Sequence, residues 1–228
     1  MKDIKDLKKE VTEDDKKTSD WILFGAIGII ILILAGIIGF KLIQEETPKT
    51  IDDLHALNLE GKLKPDQGYI YNGYSFVYND GLWHTQVKKG DNLFYIALHY
   101  APKELEEVPS EGYLDAKLFD SSKFIYYTFN PLESELKYVT VAAGEFVRNM
   151  IAAFNKIPKA ACAENETKAC EEVPILRCDN TNLPLIYFQQ ETPLEVVYED
   201  NCIIVKGVGM DVVKATDKML LTLYGIME

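Results

Sequence analysis

The stretch GYIYNGYSFVYNDGLWHTQVKKGDNLFYIALHY at residues 68–100 decides the fold of this chain. It alternates runs of Tyr, Phe, Val and Trp with Asn-Gly at 72–73 and Asn-Asp-Gly at 79–81. Asn and Gly accept the positive φ angles that tight hairpin turns require, while aromatic and β-branched residues favour strands. The stretch therefore predicts two or three antiparallel strands joined by short turns.

The residues that follow predict further strands and two helices. KFIYYTF at 123–129 has the composition of a strand, and apolar residues recur at helical spacing over 136–154 and 212–223. Between these helices lie four apolar runs that we predict to be strands, VPILRC, LPLIYFQQ, PLEVVYE and NCIIVKG. The fold class is α+β, with a largely antiparallel sheet and two amphipathic helices packed on one side of it.

An N-terminal apolar segment precedes this domain. WILFGAIGIIILILAGIIGF, residues 21–40, has twenty consecutive residues without a charge, and thirteen of them are Ile, Leu or Phe. At about 1.5 Å per residue it would reach about 30 Å, the thickness of the bilayer hydrocarbon. A buried soluble helix would contain polar residues, and a cleaved signal peptide would have a shorter apolar run and a small-residue cleavage site. We predict an uncleaved transmembrane signal-anchor helix over 21–43.

The distribution of lysines predicts which side of the membrane each part occupies. Six lysines precede the segment, and between residues 41 and 58 only Lys41 and Lys49 are basic. By the positive-inside rule, residues 1–20 form a cytoplasmic charged tail. Residues 44–66 then form a stalk, with a short helix capped by Thr50, and 67–228 form an extracytoplasmic α+β domain. The expected location is the plasma membrane, with a single pass and the C-terminal domain outside.

The net charge narrows the choice of partners. The chain has 24 basic and 36 acidic residues, a net charge of -12 that is carried by residues 44–228. Because such a domain repels phosphate backbones, nucleic acid is excluded as a partner. The expected partners are the lipid bilayer through 21–43 and an unknown envelope protein or glycan. Small residues such as Ala35 and Gly39 also allow a homodimer through the transmembrane helix, although glycine is common in such helices anyway.

The cysteines fit an oxidising compartment. All four lie in the last third of the chain, at intervals of 8, 8 and 24 residues, whereas structural zinc sites present close cysteine pairs. Disulfides are therefore favoured over zinc. Of the three pairings that four cysteines allow we favour Cys162 with Cys170 and Cys178 with Cys202, although sequence alone does not select one. Asn165 begins the only glycosylation sequon and falls within the smaller of these loops.

The sequence contains no recognisable catalytic motif. The three histidines, His55, His84 and His99, are in no known nucleophile or metal setting, and a structural role is favoured for each. We therefore expect no enzymatic activity, no cofactor and no metal site. An enzyme would need a polar pocket that gathers His84 or His99 with carboxylates.

One segment resembles a known module. TQVKKGDNLFYIALHY at 85–100 looks like the opening strand and first helix of LysM modules, which bind glycans containing N-acetylglucosamine. The resemblance implies glycan-binding residues at Trp83, His84, Asp91 and Asn92. It covers only this segment, because prolines interrupt the region where the second helix should follow, and NLFYIALHY also fits an extended strand.

A broader resemblance covers nearly the whole ectodomain. IDDLHALNLEGKL, GYIYNGYSFVYNDGLWHTQV, CDNTNLPLIYF and NCIIVKG are similar to segments of uncharacterised single-pass proteins of archaeal genomes. The resemblance implies envelope location and architecture but no activity. We expect a membrane-anchored surface protein that binds or scaffolds another envelope component. A LysM-like glycan-binding protein is the alternative, and an extracytoplasmic enzyme is the third hypothesis.

Overall fold

The computed structural model describes residues 27–36 and 50–228, and the chain divides after Pro48 into two compact units. In the first unit, residues 27–36 are helical and exposed, and we call this segment α1. The rest of the predicted membrane segment, the cytoplasmic tail and residues 44–49 of the predicted stalk lie outside the described residues. Within the two described ranges, no helix has the length and apolar character needed to cross a bilayer. The membrane span stays a prediction.

The second unit begins with a short capped helix and a four-stranded antiparallel sheet. Thr50 and Asp53 form the predicted capping box of α2 (Ile51–Leu59), which packs on the sheet. Asn72, Gly73, Asp80 and Gly81 have positive φ angles, and the hairpin turns predicted at these positions are confirmed. The strands follow one another in chain order: β1 (Gly68–Tyr71), β2 (Tyr74–Asn79), β3 (Leu82–Lys89) and β4 (Asn92–Leu98).

The second sheet has six strands in the order β5-β9-β10-β8-β6-β7. Only β9 and β10 pair antiparallel, and the other four neighbours are parallel. The prediction of a largely antiparallel sheet is therefore wrong for this part of the domain. The strands are β5 (Ser110–Leu114), β6 (Phe124–Thr128), β7 (Ile157–Ala160), β8 (Leu185–Gln189), β9 (Glu195–Asp200) and β10 (Cys202–Lys206).

The physical reason lies in the central strands. LIYFQ and CIIVK are continuous apolar runs, which are typical of strands buried on both faces in parallel sheets, whereas half-exposed antiparallel strands alternate. The sequence also missed β5 and β7, which lie at the two edges of the sheet. VPILRC, predicted as a strand, contributes only an isolated bridge between Ile175 and Cys162.

Four helices complete the domain: α3 (Pro102–Leu105), α4 (Ala116–Ser121), α5 (Leu136–Ala152) and α6 (Met210–Leu223). The two long helices contact each other, and α6 packs on β9 and β10. On α5, Phe146 meets the rings of Tyr127 on β6 and Phe188 on β8 at 6.0 and 6.2 Å between centroids. Both helices thus pack on one face of the six-stranded sheet, as predicted.

Helix α6 is more deeply buried than the sequence suggests. A closing helix that packs by one face was expected, but Asp217 and Lys218 are buried together with the apolar residues around them. A helix buried all round belongs to the interior of a domain. One hydrophobic core joins residues of the four-stranded sheet, of α5 and α6, and of the six-stranded sheet.

The opposite face of the six-stranded sheet is covered by the segment that contains the cysteines. Cys162 pairs with Cys170 and Cys178 with Cys202, with Cα–Cα distances of 5.7 and 5.5 Å, which is the pairing favoured above. The second disulfide links this segment to the first residue of β10. Ala161, Leu176, Leu185 and Cys202 form a small second core under it.

Candidate functional site

A chain of three ionisable side chains connects the two halves of the domain core. His99 follows β4, and its Nδ1 lies 2.6 Å from Oε1 of Glu145 on α5. Glu145 in turn contacts Asp217 on α6 through a hydrogen bond between the two carboxyl groups. Glu145 is 1% exposed and Asp217 is fully buried, whereas the His99 side chain keeps 34% of its surface in solvent. We call these residues the His99 triad.

The surroundings of Asp217 favour its protonated form. Burial raises the pKa of Asp217 well above its ordinary value, and the neighbouring Glu145 raises it further, while the Tyr100 backbone N–H that donates to Oδ2 at 2.8 Å opposes the shift. Oδ1 of Asp217 and Oε2 of Glu145 are both buried and accept no N–H or O–H hydrogen bond within the described residues. Because two carboxylates have no hydrogen to share, a hydrogen bond between these groups requires a proton on one of them.

Glu145 is the member of the carboxyl pair that faces the imidazole of His99. The contact occupies Nδ1 of the ring and leaves Nε2 for other contacts. A histidine whose one nitrogen is held by a buried carboxylate has a fixed ring orientation, and this is the arrangement that supports general acid–base chemistry. The condition set above for an enzyme, His99 gathered with carboxylates, is thus met in part.

An open cleft lies beside the triad, between β4 and the second half of α5. Its cavity volume is about 260 Å³. Asn149 joins the cleft to the triad helix, since its Nδ2 donates to the Glu145 carbonyl at 2.8 Å and its Oδ1 accepts from the Tyr224 hydroxyl at 2.7 Å. Burial raises the pKa of Tyr224, so its hydroxyl remains a donor. The lining residues are Leu93, Phe94, Tyr95, Ala97, Arg148, Asn149, Ala152, Ala153 and Tyr224.

Three basic residues lie on α5 and β3, on or next to the elements that form this cleft, in a domain whose net charge is negative. Arg148 is exposed on α5, and Lys88 and Lys89 are exposed at the end of β3, directly opposite Leu93 and Asn92 of β4. Leu93 and Tyr95 are themselves 49% and 60% exposed. The β4–α5 cleft therefore combines apolar and aromatic surface with positive charge, a combination that suits a ligand or partner with both apolar and acidic groups.

The four residues implied by the LysM resemblance do not form one site. Trp83 is half-buried against the rings of Tyr69 and Tyr78, and Nε2 of His84 contacts the Asn79 carbonyl at 3.2 Å. Asp91 and Asn92 lie at the other end of the β3–β4 hairpin, about 20 Å away at about 3.3 Å per residue. Residues 92–98 form the extended strand β4, where a LysM module would have its first helix.

The other predicted site residues occupy separate places. His55 is buried on α2 with Nδ1 2.8 Å from the Ser75 hydroxyl, and burial lowers its pKa, so it is neutral and structural. Asn165 is exposed in the loop closed by Cys162 and Cys170. Within residues 27–36 and 50–228, no group of three His, Cys, Asp or Glu side chains is arranged to hold a metal ion.

Sequence reasoning missed both carboxylates of the triad and the α5 side of the cleft. The available signal was a charged residue at a buried helical position. Glu145 follows Ala142 by three residues and precedes Asn149 by four, and Asp217 follows Val213 by four, so each carboxylate shares a buried stripe with its neighbours. A carboxylate on the inward face of a helix indicates either a partner or a raised pKa.

No protein-family model matches the chain, and neither a curated protein nor a solved structure matches it.

Proposed function

We propose that this chain is a membrane-anchored, extracytoplasmic binding protein that recognises an envelope component through the β4–α5 cleft. The observation that carries the proposal is the cleft itself. It is open, its lining includes the exposed side chains of Leu93 and Tyr95, and Arg148 gives it a positive charge on an acidic domain. Exposed apolar surface of this kind marks interaction sites.

The location outside the cell rests on separate support. Two disulfides are favoured in oxidising compartments and are rare in the cytosol. The uncharged stretch 21–40 and the lysines before it are consistent with an anchor whose N-terminus is cytoplasmic. Protease added to intact cells should therefore remove the C-terminal domain, while the tail 1–20 stays protected until the membrane is opened. Protection of the C-terminal domain in intact cells would overturn this topology.

A photocrosslinking experiment tests the binding role. Benzoylphenylalanine replaces Tyr95 in the cleft or, as a control, Tyr113 on β5, which is 70% exposed. Both positions carry an exposed tyrosine, so general surface encounters label them equally. We expect one discrete adduct from position 95 and none from position 113 in cells that express the full chain. Equal labelling at both positions, or none at 95, would contradict the proposal.

A binding experiment on the same cleft distinguishes a glycan from other envelope components as the ligand. Exposed aromatic rings stack on sugars, and Tyr95 is such a ring. Retention of the full chain on insoluble envelope glycan, lost with Tyr95→Ala and kept with Tyr113→Ala, would make the occupant a glycan. Retention that Trp83→Ala alone abolishes would instead favour the residues of the LysM resemblance.

The His99 triad favours a second candidate function, acid–base catalysis. The observation is the 2.6 Å contact between a partly exposed imidazole and a buried carboxylate. A panel of chromogenic esters, phosphates and glycosides tests it with His99→Gln and, as a matched control, His84→Gln. An enzyme should lose turnover with the first variant and keep it with the second. Equal turnover in both variants would remove His99 from any catalytic role.

A further inference from the structure

We infer that the β4 edge binds an extended, acidic peptide segment of a partner protein by strand addition. This inference rests on the proposed binding function and names the class of partner. β4 is an edge strand of the four-stranded sheet. In the described part of the chain, residues 92–98 make backbone hydrogen bonds to β3 and to no other element. Alternate N–H and C=O groups of β4 therefore point away from the sheet, ready to pair with another strand.

The sequence of this edge lacks the features that normally protect one. Proteins cover exposed edges or place charges, prolines or bulges on them. The strand NLFYIAL contains neither a charge nor a proline, and Leu93 and Tyr95 are about half exposed. β4 therefore presents a long, uncharged and apolar edge.

The other three edges of the two sheets are protected. On β1, Nδ2 of Asn58 from α2 donates to the Tyr69 carbonyl at 3.0 Å. β5 carries a charge at Glu111, and β7 contains Pro158 and Lys159. Among the edges that the structure describes, β4 is the one that lacks such protection. We take this difference as the evidence that β4 binds a partner.

The cleft next to β4 provides the space that an added strand needs. Its wall on α5 consists partly of small residues, Ala152 and Ala153, and the cavity of about 260 Å³ lies alongside the strand. A strand pairs at about 4.8 Å from its neighbour and directs alternate side chains to one face. Every second side chain of the incoming segment would enter the cleft, and the others would face solvent.

The charge around the cleft determines the chemistry of the peptide. Arg148 lines the cleft, and Lys88 and Lys89 lie on β3 opposite the first two residues of β4. Arg148 and Lys88 form no ion pair within the described part of the chain. The rest of the domain is acidic. The acidic domain as a whole attracts a basic segment and repels an acidic one, but the basic residues at this edge attract an acidic segment locally. The segment should therefore alternate apolar residues with Asp or Glu.

A displayed library of short random peptides, selected on the full chain in lipid nanodiscs, tests the inference. We expect the selected peptides to be rich in Asp and Glu at alternate positions and to lack proline. One selected peptide is then N-methylated at single backbone positions, which leaves the protein unchanged. Strand addition requires a pattern of period two, in which methylation at alternate positions weakens binding by about fivefold or more and methylation between them has no effect.

Charge reversal on the protein provides the second readout. Arg148→Glu should weaken binding of the acidic peptide about fivefold, while Lys168→Glu, the same change in the exposed disulfide loop, should leave it unaltered. Selection of basic or proline-rich peptides, or methylation effects without the period of two, would overturn the inference. So would a dimer of the full chain that pairs through β4, because the edge would then bind a second copy. If position 95 crosslinks to a partner but peptides do not bind as an added strand, this inference is wrong and the proposed binding function still holds.

Discussion

The raised pKa of the buried Asp217 predicts how stability changes with pH. Asp217→Asn keeps the size of the side chain, and its amide can still accept from the Tyr100 N–H and donate to Glu145 without needing a proton. Wild-type Asp217 must keep a proton in the folded state or bury a second negative charge beside Glu145. The variant has no such requirement, so its advantage should depend on pH.

The sign follows from proton linkage. The pKa of Asp217 is raised in the folded protein above its ordinary value of 3.8, so above this pH the folded state holds a proton that the unfolded state has lost. Stability from this group is fully present at lower pH and is lost as the pH rises toward the folded pKa. Over that window the wild type loses about 1.4 kcal/mol of unfolding free energy per pH unit, and the variant does not.

Urea unfolding of the full chain at a series of pH values from 4 upward measures this difference. The free energy of unfolding of Asp217→Asn minus that of the wild type should rise by about 1.4 kcal/mol per pH unit and then level off. Asp211→Asn removes an exposed carboxylate from the same helix and reports the effect of charge alone. A difference that is flat in pH, or that falls, would refute the raised pKa of Asp217.

Three further predictions concern the architecture. By loop-closure entropy, replacing Cys178 and Cys202 with Ala should cost about 3.5 kcal/mol and replacing Cys162 and Cys170 about 2.6 kcal/mol, measured by chemical unfolding; a reversed order would contradict the entropic argument. Phe146→Ala should cost about 3–5 kcal/mol, because this fully buried ring packs between Tyr127 and Phe188 and leaves a cavity; a cost below about 1 kcal/mol would show that the core closes around it. Gly207→Ala should destabilise the fold, because the added Cβ would lie 2.4 Å from the Asp211 carbonyl carbon. Gly144→Ala should raise the melting temperature, because α5 has open space at that position. Equal melting temperatures for the two variants would contradict this prediction.

The features that the sequence predicted correctly are those determined by neighbours in the chain. The hairpin turns at Asn72 and Asp80 need only local backbone conformations, and α5 needs only its own apolar spacing. The first residue of α5 has no comparable local signal, because its N-cap is Glu135 in a left-handed conformation with no side-chain hydrogen bond.

The features that the sequence missed depend on contacts between distant segments. The parallel pairing of β6 with β8 brings together residues about sixty positions apart, and no local pattern records that pairing. The same is true of Glu145 and Asp217, whose hydrogen bond exists only because α5 and α6 pack side by side. The sequence shows a charged residue among the apolar residues of each helix, but it does not show which side chain that residue contacts.

The strand orders of the two sheets have a consequence for how the domain forms. Each strand of the first sheet pairs with its neighbour in the chain, so the β1–β4 meander can assemble from 68–98 alone. The second sheet cannot, because β5 pairs with β9, which lies more than eighty residues later in the chain. Contacts of such long range form slowly. We therefore expect a newly made chain to complete its meander, with the β4 edge already exposed, well before the disulfide-bearing half of the domain closes.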